Sequence, residues 1–191
     1  MKVNTLETVS GQLVNIENPE PDTILIDDIA WGISRLNRFA GHTITAIPPT
    51  VAQHSIFVSD LLMRETNDKA LGMIGLLHDS GEVYTSDVPS PVKRIEKVGD
   101  VIKKIENNFL AIIYDKFLGR QPTTQEWEIC HIADKKAQFI EAYHFMHSRG
   151  LHWQGRSQCV ISLKELHDYP TILTSIQSYE LFIDRFNSLK P

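Results

Sequence analysis

Cysteine is nearly absent from this 191-residue chain: Cys130 and Cys159 are the only two, and they form no CxxC pair. That count is too small for a disulfide framework. Long apolar runs are missing as well, since none approaches the roughly 18 residues that span a bilayer, so no membrane partner is expected. The start, Met1-Lys2-Val3-Asn4-Thr5-Leu6, lacks an apolar core before a small-residue cleavage site, the pattern of a secretory leader. A cytoplasmic location is the expectation. Basic residues are in deficit, 19 Lys and Arg against 24 Asp and Glu, for a formal net charge of −5. A duplex nucleic-acid binder displays a basic face, so that class is set aside, while a local basic pocket for a small anion stays open. There is no repeat and no low-complexity tract.

What is present is ordinary globular material, 42% hydrophobic and 23% charged. Its length suits one domain over residues 1–191 with a sizeable core. Residues 2–16 alternate weakly around Ser10-Gly11 and read as a short β-hairpin. From about Leu25 the period becomes helical, with Ile29, Ile33, Leu36 and Phe39 on one stripe. Thr50 reads as the N-cap of a second helix. Residues 69–79 form an almost wholly apolar helix, expected at the domain centre. Pro89 and Pro91 interrupt helix, two long amphipathic segments follow at about 96–118 and 123–148, and 149–161 reads as a loop or small ribbon. A last helix is expected over about 171–188. The fold class is all-α with a short N-terminal β-hairpin.

The apolar helix ends in His78-Asp79, an imidazole and a carboxylate side by side. Apolar surroundings are a costly place for two polar side chains unless something pairs with them. At about 100° per residue, His78, Asp79 and Glu82 fall near 0°, 100° and 40° on one wheel, so all three share a cavity if the helix persists to Glu82. His54 upstream and Asp134 downstream also lie on helical segments. Two histidines and two carboxylates suit one divalent transition-metal cation, Co, Mn, Zn or Fe, and leave positions for water and substrate oxygens.

The order His54, His78-Asp79, Asp134 resembles the HD-domain metal-dependent phosphohydrolases, an all-α helical-bundle family. The run His78-Asp79-Ser80-Gly81-Glu82, continuing through Asp87-Val88-Pro89-Ser90-Pro91-Val92-Lys93, is similar to the bacterial 5′-deoxynucleotidases of that superfamily. Asn37-Arg38-Phe39-Ala40-Gly41-His42 and Val51-Ala52-Gln53-His54-Ser55 look more like its phage and prophage branch, which includes dATP triphosphohydrolases. The resemblance covers about 24–145. It implies His54, His78, Asp79 and Asp134 as metal ligands, and Glu82 and Asp87 as the acidic residues around the attacked phosphate. It also implies Arg38 as a substrate-holding arginine. Phe39 stands where the deoxynucleotidases have tryptophan, and the Arg38–His54 spacing is one residue longer than theirs. Both departures bear on the nucleoside pocket.

Other residues compete. His42, in a Gly- and Pro-flanked loop, is an alternative upstream ligand or a pocket residue. Lys93 meets phosphate or solvent. His131, one turn before Asp134, supports that carboxylate or is partly exposed, while His144 and His147 read as surface histidines. Glu141, two turns after Asp134, orients Arg38, points at the pocket or, by default, is solvated. Arg94, Lys97, Lys103 and Lys104 read as an exposed face, and Trp31, Trp127 and Trp153 as packing residues. The expected function is release of phosphate from 2′-deoxynucleoside 5′-monophosphates. A dNTP triphosphohydrolase is the alternative, and a non-catalytic nucleotide or metal sensor is the third reading. The expected partner is a small nucleotide, and the long amphipathic segments leave a homodimer or higher homo-oligomer open.

Overall fold

A computed structural model describes residues 4–167, 169 and 171–190. Strands β1 (Thr5–Glu7) and β2 (Leu13–Asn15) pair antiparallel, Leu6 opposite Val14. Asp28 anchors their turn by accepting from Thr8 Oγ1 at 2.7 Å, Ser10 N at 3.0 Å and Ser10 Oγ at 2.7 Å. That ties the hairpin to helix α1 (Ile26–Ile33). The predicted stripe through Leu36 and Phe39 does not continue as helix. Instead Val51 N donates to Leu36 O and Arg38 N to Pro49 O, so this stretch spends its backbone bonds on the entry to the next helix.

That helix, α2 (Val51–Thr66), starts where expected, because Thr50 Oγ1 accepts from Gln53 N. Two residues separate it from α3 (Lys69–Leu77), a connection short enough to make a helical hairpin. Every residue of α3 from Leu71 to Leu77 is buried, and α3 packs on α2. The helix stops at Leu77 and does not persist to Glu82. His78 Nδ1 takes Gly75 O at 2.8 Å, the carbonyl that Asp79 N would use in a continuing helix. A 3-10 turn at Ser80–Tyr84 follows.

The prolines leave only a short α4 (Ser90–Lys93) before α5 (Val98–Phe117). Thr123 and Glu126 form a capping box that starts α6 (Thr124–Phe145). Residues 149–161 are turns with one 3-10 segment, Arg156–Gln158, and no strand. A short α7 (Leu163–His167) follows, which the sequence pattern does not announce. The last helix, α8 (Ser175–Leu189), is capped by Thr174, later than the expected Thr171, and packs on α1, α2 and α3. Pro170, its expected lead-in, lies outside the described residues. The all-α fold with a short hairpin is as expected. No helix among the described residues is long and apolar enough to cross a membrane.

Gly99 joins α4 to α5 by backbone contact. A Cβ there would fall 1.8 Å from Lys93 O and 2.7 Å from Lys93 C, and main chain has no rotamer to retreat into. Overpacking of this kind costs about 1–3 kcal/mol, so Gly99→Ala should lower the melting temperature by roughly 2–12 °C. An unchanged thermal melt would show that the Lys93 segment yields freely.

Candidate metal centre

Three helices deliver the polar cluster. His54 sits in the first turn of α2, held by the Thr50 cap and fully buried. His78 and Asp79 follow the end of α3, and Asp134 comes from the middle of α6. His54, His78 and Asp134 each offer a ligand atom, all within 4.8 Å of one another. Asp79 Oδ2 lies 3.3 Å from His78 Nε2 and 3.7 Å from His54 Nε2. Three of the four expected ligands are therefore within mutual reach, and the fourth, Asp79, adjoins both histidines.

The outer ring nitrogens orient both histidines. His78 Nδ1 donates to Gly75 O, so its neutral Nε2 carries a bare lone pair; that atom is buried without a hydrogen-bond partner. His54 Nδ1 donates to Glu141 Oε1 at 3.1 Å, and its Nε2 lies 3.2 Å from Asp134 Oδ1, where the neutral ring turns a lone pair to the carboxylate and the protonated ring donates to it. With both rings neutral, acceptor would face acceptor in both places, and a cation or a proton resolves that. A histidine whose second nitrogen is held by a carboxylate or carbonyl is the usual arrangement of a metal ligand.

Charge makes the same demand. Asp79, Glu82, Asp87, Asp134 and Glu141 gather around Arg38 and Lys93, so carboxylates outnumber fixed cations. In the metal-free protein, protons answer this excess. Burial and Arg38 pull the His54 imidazole down, yet Glu141 and Asp134 carry it up to about 10. Burial favours the neutral Asp134 carboxyl, but His54 and His78 hold its pKa down to about 2. Burial, then Asp79 and Asp87, push Glu82 well above the usual carboxylate range. Burial also raises Asp87, against Arg38. The donor set of two imidazoles and two carboxylates, with excess negative charge, fits a divalent transition metal.

Arg38 links this centre to open space. Its Nη1 is 3.8 Å from both Asp79 Oδ2 and Asp87 Oδ2, and its Nη2 donates to Glu141 Oε2 at 3.3 Å. Beyond it lies a cavity of about 620 Å³ lined by Arg38, Phe39, His42, Asp87, Arg94 and Trp153, among others. A pocket of that size suits a nucleotide-sized ligand. A cavity of about 350 Å³ between the hairpin and α1 touches none of the metal-site residues.

Several residues sit differently from expectation. Glu141 is not solvated: it is fully buried, bonded to His54 and Arg38, and accepts from the Tyr169 hydroxyl at 3.3 Å. Lys93, expected against phosphate, lies 2.9 Å from Glu82 and 2.9 Å from Glu106. It fixes Glu82 Oε1, while Glu82 Oε2 is buried and unpartnered. His42 is exposed on the cavity wall and away from the ligand cluster. Arg94 and Trp153 line the cavity, where the sequence offered a solvated face and a packing residue. Trp31 and Trp127 do pack, against Tyr179 and Tyr114. His131 is 66% exposed with Nδ1 3.9 Å from Asp134 Oδ2. His144 donates to Leu166 O and is only partly exposed, whereas His147 is exposed. The seven-residue step from Asp134 signals Glu141; nothing in the sequence signals Tyr169 or Glu106.

Because Glu141 orients His54 from behind, Glu141→Gln should weaken divalent-metal affinity by roughly 10–100-fold. Calorimetric titration reads this directly, and wild-type affinity in the variant would remove Glu141 from the site.

No family model matches the chain. Over 112 residues, 59% of this chain and 57% of the relative, it is 35% identical to the uncharacterized protein YfdR of Escherichia coli (strain K12). Over 113 residues, 57% of this chain and 56% of the relative, it is 29% identical to the uncharacterized protein RCAP_rcc00048 of Rhodobacter capsulatus. The chain thus spans just over half the length of these curated relatives, and neither name states an activity.

Proposed function

We propose that this chain is a metal-dependent phosphohydrolase of the HD type, releasing phosphate from 2′-deoxynucleoside 5′-monophosphates. The observation that carries the reading is the convergence of His54, His78 and Asp134, with Asp79 against both histidines and the buried His78 Nε2 left without a hydrogen-bond partner. Those four residues would hold the ion. When bound, a divalent cation neutralises charge on phosphoryl oxygens and makes water a better nucleophile.

The remaining residues supply the other requirements. The Arg38 guanidinium bridges the ligand carboxylates and the cavity, so it is placed to pair with a phosphate through its planar fork. Lys93 clamps one oxygen of Glu82 and leaves the other free as a proton acceptor for the attacking water. Burial raises that carboxyl's proton affinity, which brings it nearer the working range of a general base. Asp87, facing Arg38, holds the guanidinium in register or meets the leaving oxygen.

A second reading has its own support. Arg94 and Lys135 line the same cavity beyond Arg38, cations suited to further phosphates, so cleavage of a dNTP to nucleoside and triphosphate is the alternative. The deciding experiment incubates all deoxy- and ribonucleotides, mono- to triphosphate, with Mn, Co, Zn and Fe and identifies products. Inorganic phosphate from deoxynucleoside monophosphates supports the first reading, and intact triphosphate from a dNTP supports the second. Nucleotide binding without turnover under every metal would overturn both and leave a sensor.

A further inference from the structure

One wall of the cavity is aromatic surface that the phosphate chemistry does not use. Phe39 and Trp153 meet edge to face there, ring centroids 5.7 Å apart at 61°. Phe139 and Met146 continue the wall. The backbone holds the Phe39 ring in a disfavoured conformation and the Trp153 ring on a glycine-containing turn. Phe39 and Ala40 sit at φ 57° and 51°, a region that non-glycine residues enter only with strain. That turn leaves the Phe39 ring centroid 5.5 Å from the Arg38 guanidinium carbon. Trp153 N closes a turn onto Gly150 O at 3.1 Å. Gly150 has φ 69°, and a Cβ there would lie 2.9 Å from the Ala142 side chain. A strained turn such as that at Phe39-Ala40, placed on a cavity wall, points to a surface shaped for a ligand.

We infer that Trp153, with Phe39, forms the platform on which the planar base of the substrate stacks, so that Trp153 determines specificity for heteroaromatic phosphate esters. Arg38 touches both the metal-site carboxylates and the Phe39 ring, so a phosphate paired with Arg38 leaves the rest of its molecule facing this wall. Every nucleobase has a π-face, and aromatic stacking holds it with little regard to sequence or substituent. Gln138 and Gln154 line the same cavity, and their amides offer donors and acceptors to a base edge. The inference takes its ligand class from the hydrolase reading, but base stacking needs no turnover to be measured.

The test uses the full chain with Trp31→Phe and Trp127→Phe, which leaves Trp153 as the one indole. Deoxynucleoside 5′-monophosphates, and deoxynucleosides without phosphate, should quench its emission saturably. Deoxyribose 5-phosphate should not quench it, and should bind at least about ten-fold more weakly by calorimetry. Trp153→Ala should raise the nucleotide Kd roughly 5- to 150-fold, appearing in KM more than in kcat, with Trp153→Phe recovering most of the loss. Circular dichroism checks that the helices are retained. Deoxyribose 5-phosphate binding as tightly as the nucleotide, or an unchanged Kd in Trp153→Ala, would overturn the inference. Saturable quenching without phosphate release under any metal would support the platform while sinking the hydrolase reading, so the two failures are distinguishable.

Discussion

Asp134→Asn should give a folded protein whose melting temperature no longer responds to divalent metal. In the unsubstituted chain, ion binding adds RT ln(1 + [L]/Kd), about 4 kcal/mol at a thousand-fold excess over Kd. For a domain of this size that is a rise of roughly 8–16 °C. Asn keeps the shape of Asp134 but removes the charge that faces His54 at 3.2 Å and His78 at 3.9 Å. A carboxylate is a far better ligand than an amide for a hard or borderline cation, so both the thermal response and the bound-metal stoichiometry should vanish. The competing account treats the cluster as a structural ion-pair network with protons in place of a metal. Under it the unsubstituted protein would show no metal-dependent melting at all. Thermal melts of both proteins with and without Mn and Zn, alongside elemental analysis, separate the two. A variant that still binds one metal with an intact thermal shift would remove Asp134 from the centre.

The parts of this site legible in the sequence are those set by local rules. Thr50 caps α2 and fixes His54 in its first turn, and the apolar run Leu71–Leu77 forces α3 into the interior. The polar pair His78-Asp79 therefore had to find partners inside. Asp134 could be placed because 123–148 reads as one long amphipathic helix and because the order His54, His78-Asp79, Asp134 resembles a known ligand set. What stayed hidden depends on contacts distant in sequence. A glutamate on a helix defaults to solvent, and it is the buried Arg38 and His54, with the Tyr169 hydroxyl, that hold Glu141 in the interior. On sequence pattern alone α3 runs to Asp79, with its continuation to Glu82 conditional; the helix ends at Leu77 because the His78 side chain captures a backbone carbonyl, which wheel geometry takes no account of. Trp153 lies in a turn-rich segment with no periodicity, where position follows from Gly150 and the α6 face it meets. Lys93 shows the same limit, since a loop lysine has no signal that two carboxylates will bracket it.

Glu82→Gln should lower phosphate release by roughly 10²–10⁴-fold, the usual contribution of a positioned general base, while leaving metal content unchanged. Glu82 is not among the four proposed ligands, and its free Oε2 is the feature the amide destroys as a proton acceptor. The metal-free variant should also be more stable than the unsubstituted chain, and the difference should depend on pH. The Glu82 carboxyl has its folded-state pKa raised, first by burial and then by Asp79 and Asp87. The unfolded chain therefore releases this proton at lower pH than the folded one. Folded-state stability then falls as pH rises above the ordinary glutamate value of about 4.3. Glutamine has no proton to lose, so the two melting temperatures should coincide near pH 4 and separate at higher pH, with the variant above. Metal saturation should shrink that gap, because the ion supplies the positive charge that the proton otherwise provides. Loss of turnover joined to a gain in metal-free stability is the signature of a group held in an unfavourable place for its chemistry. If Glu82→Gln retained near-full turnover, or melted below the unsubstituted chain at every pH, that role would have to pass to another residue, with Asp87 next in line.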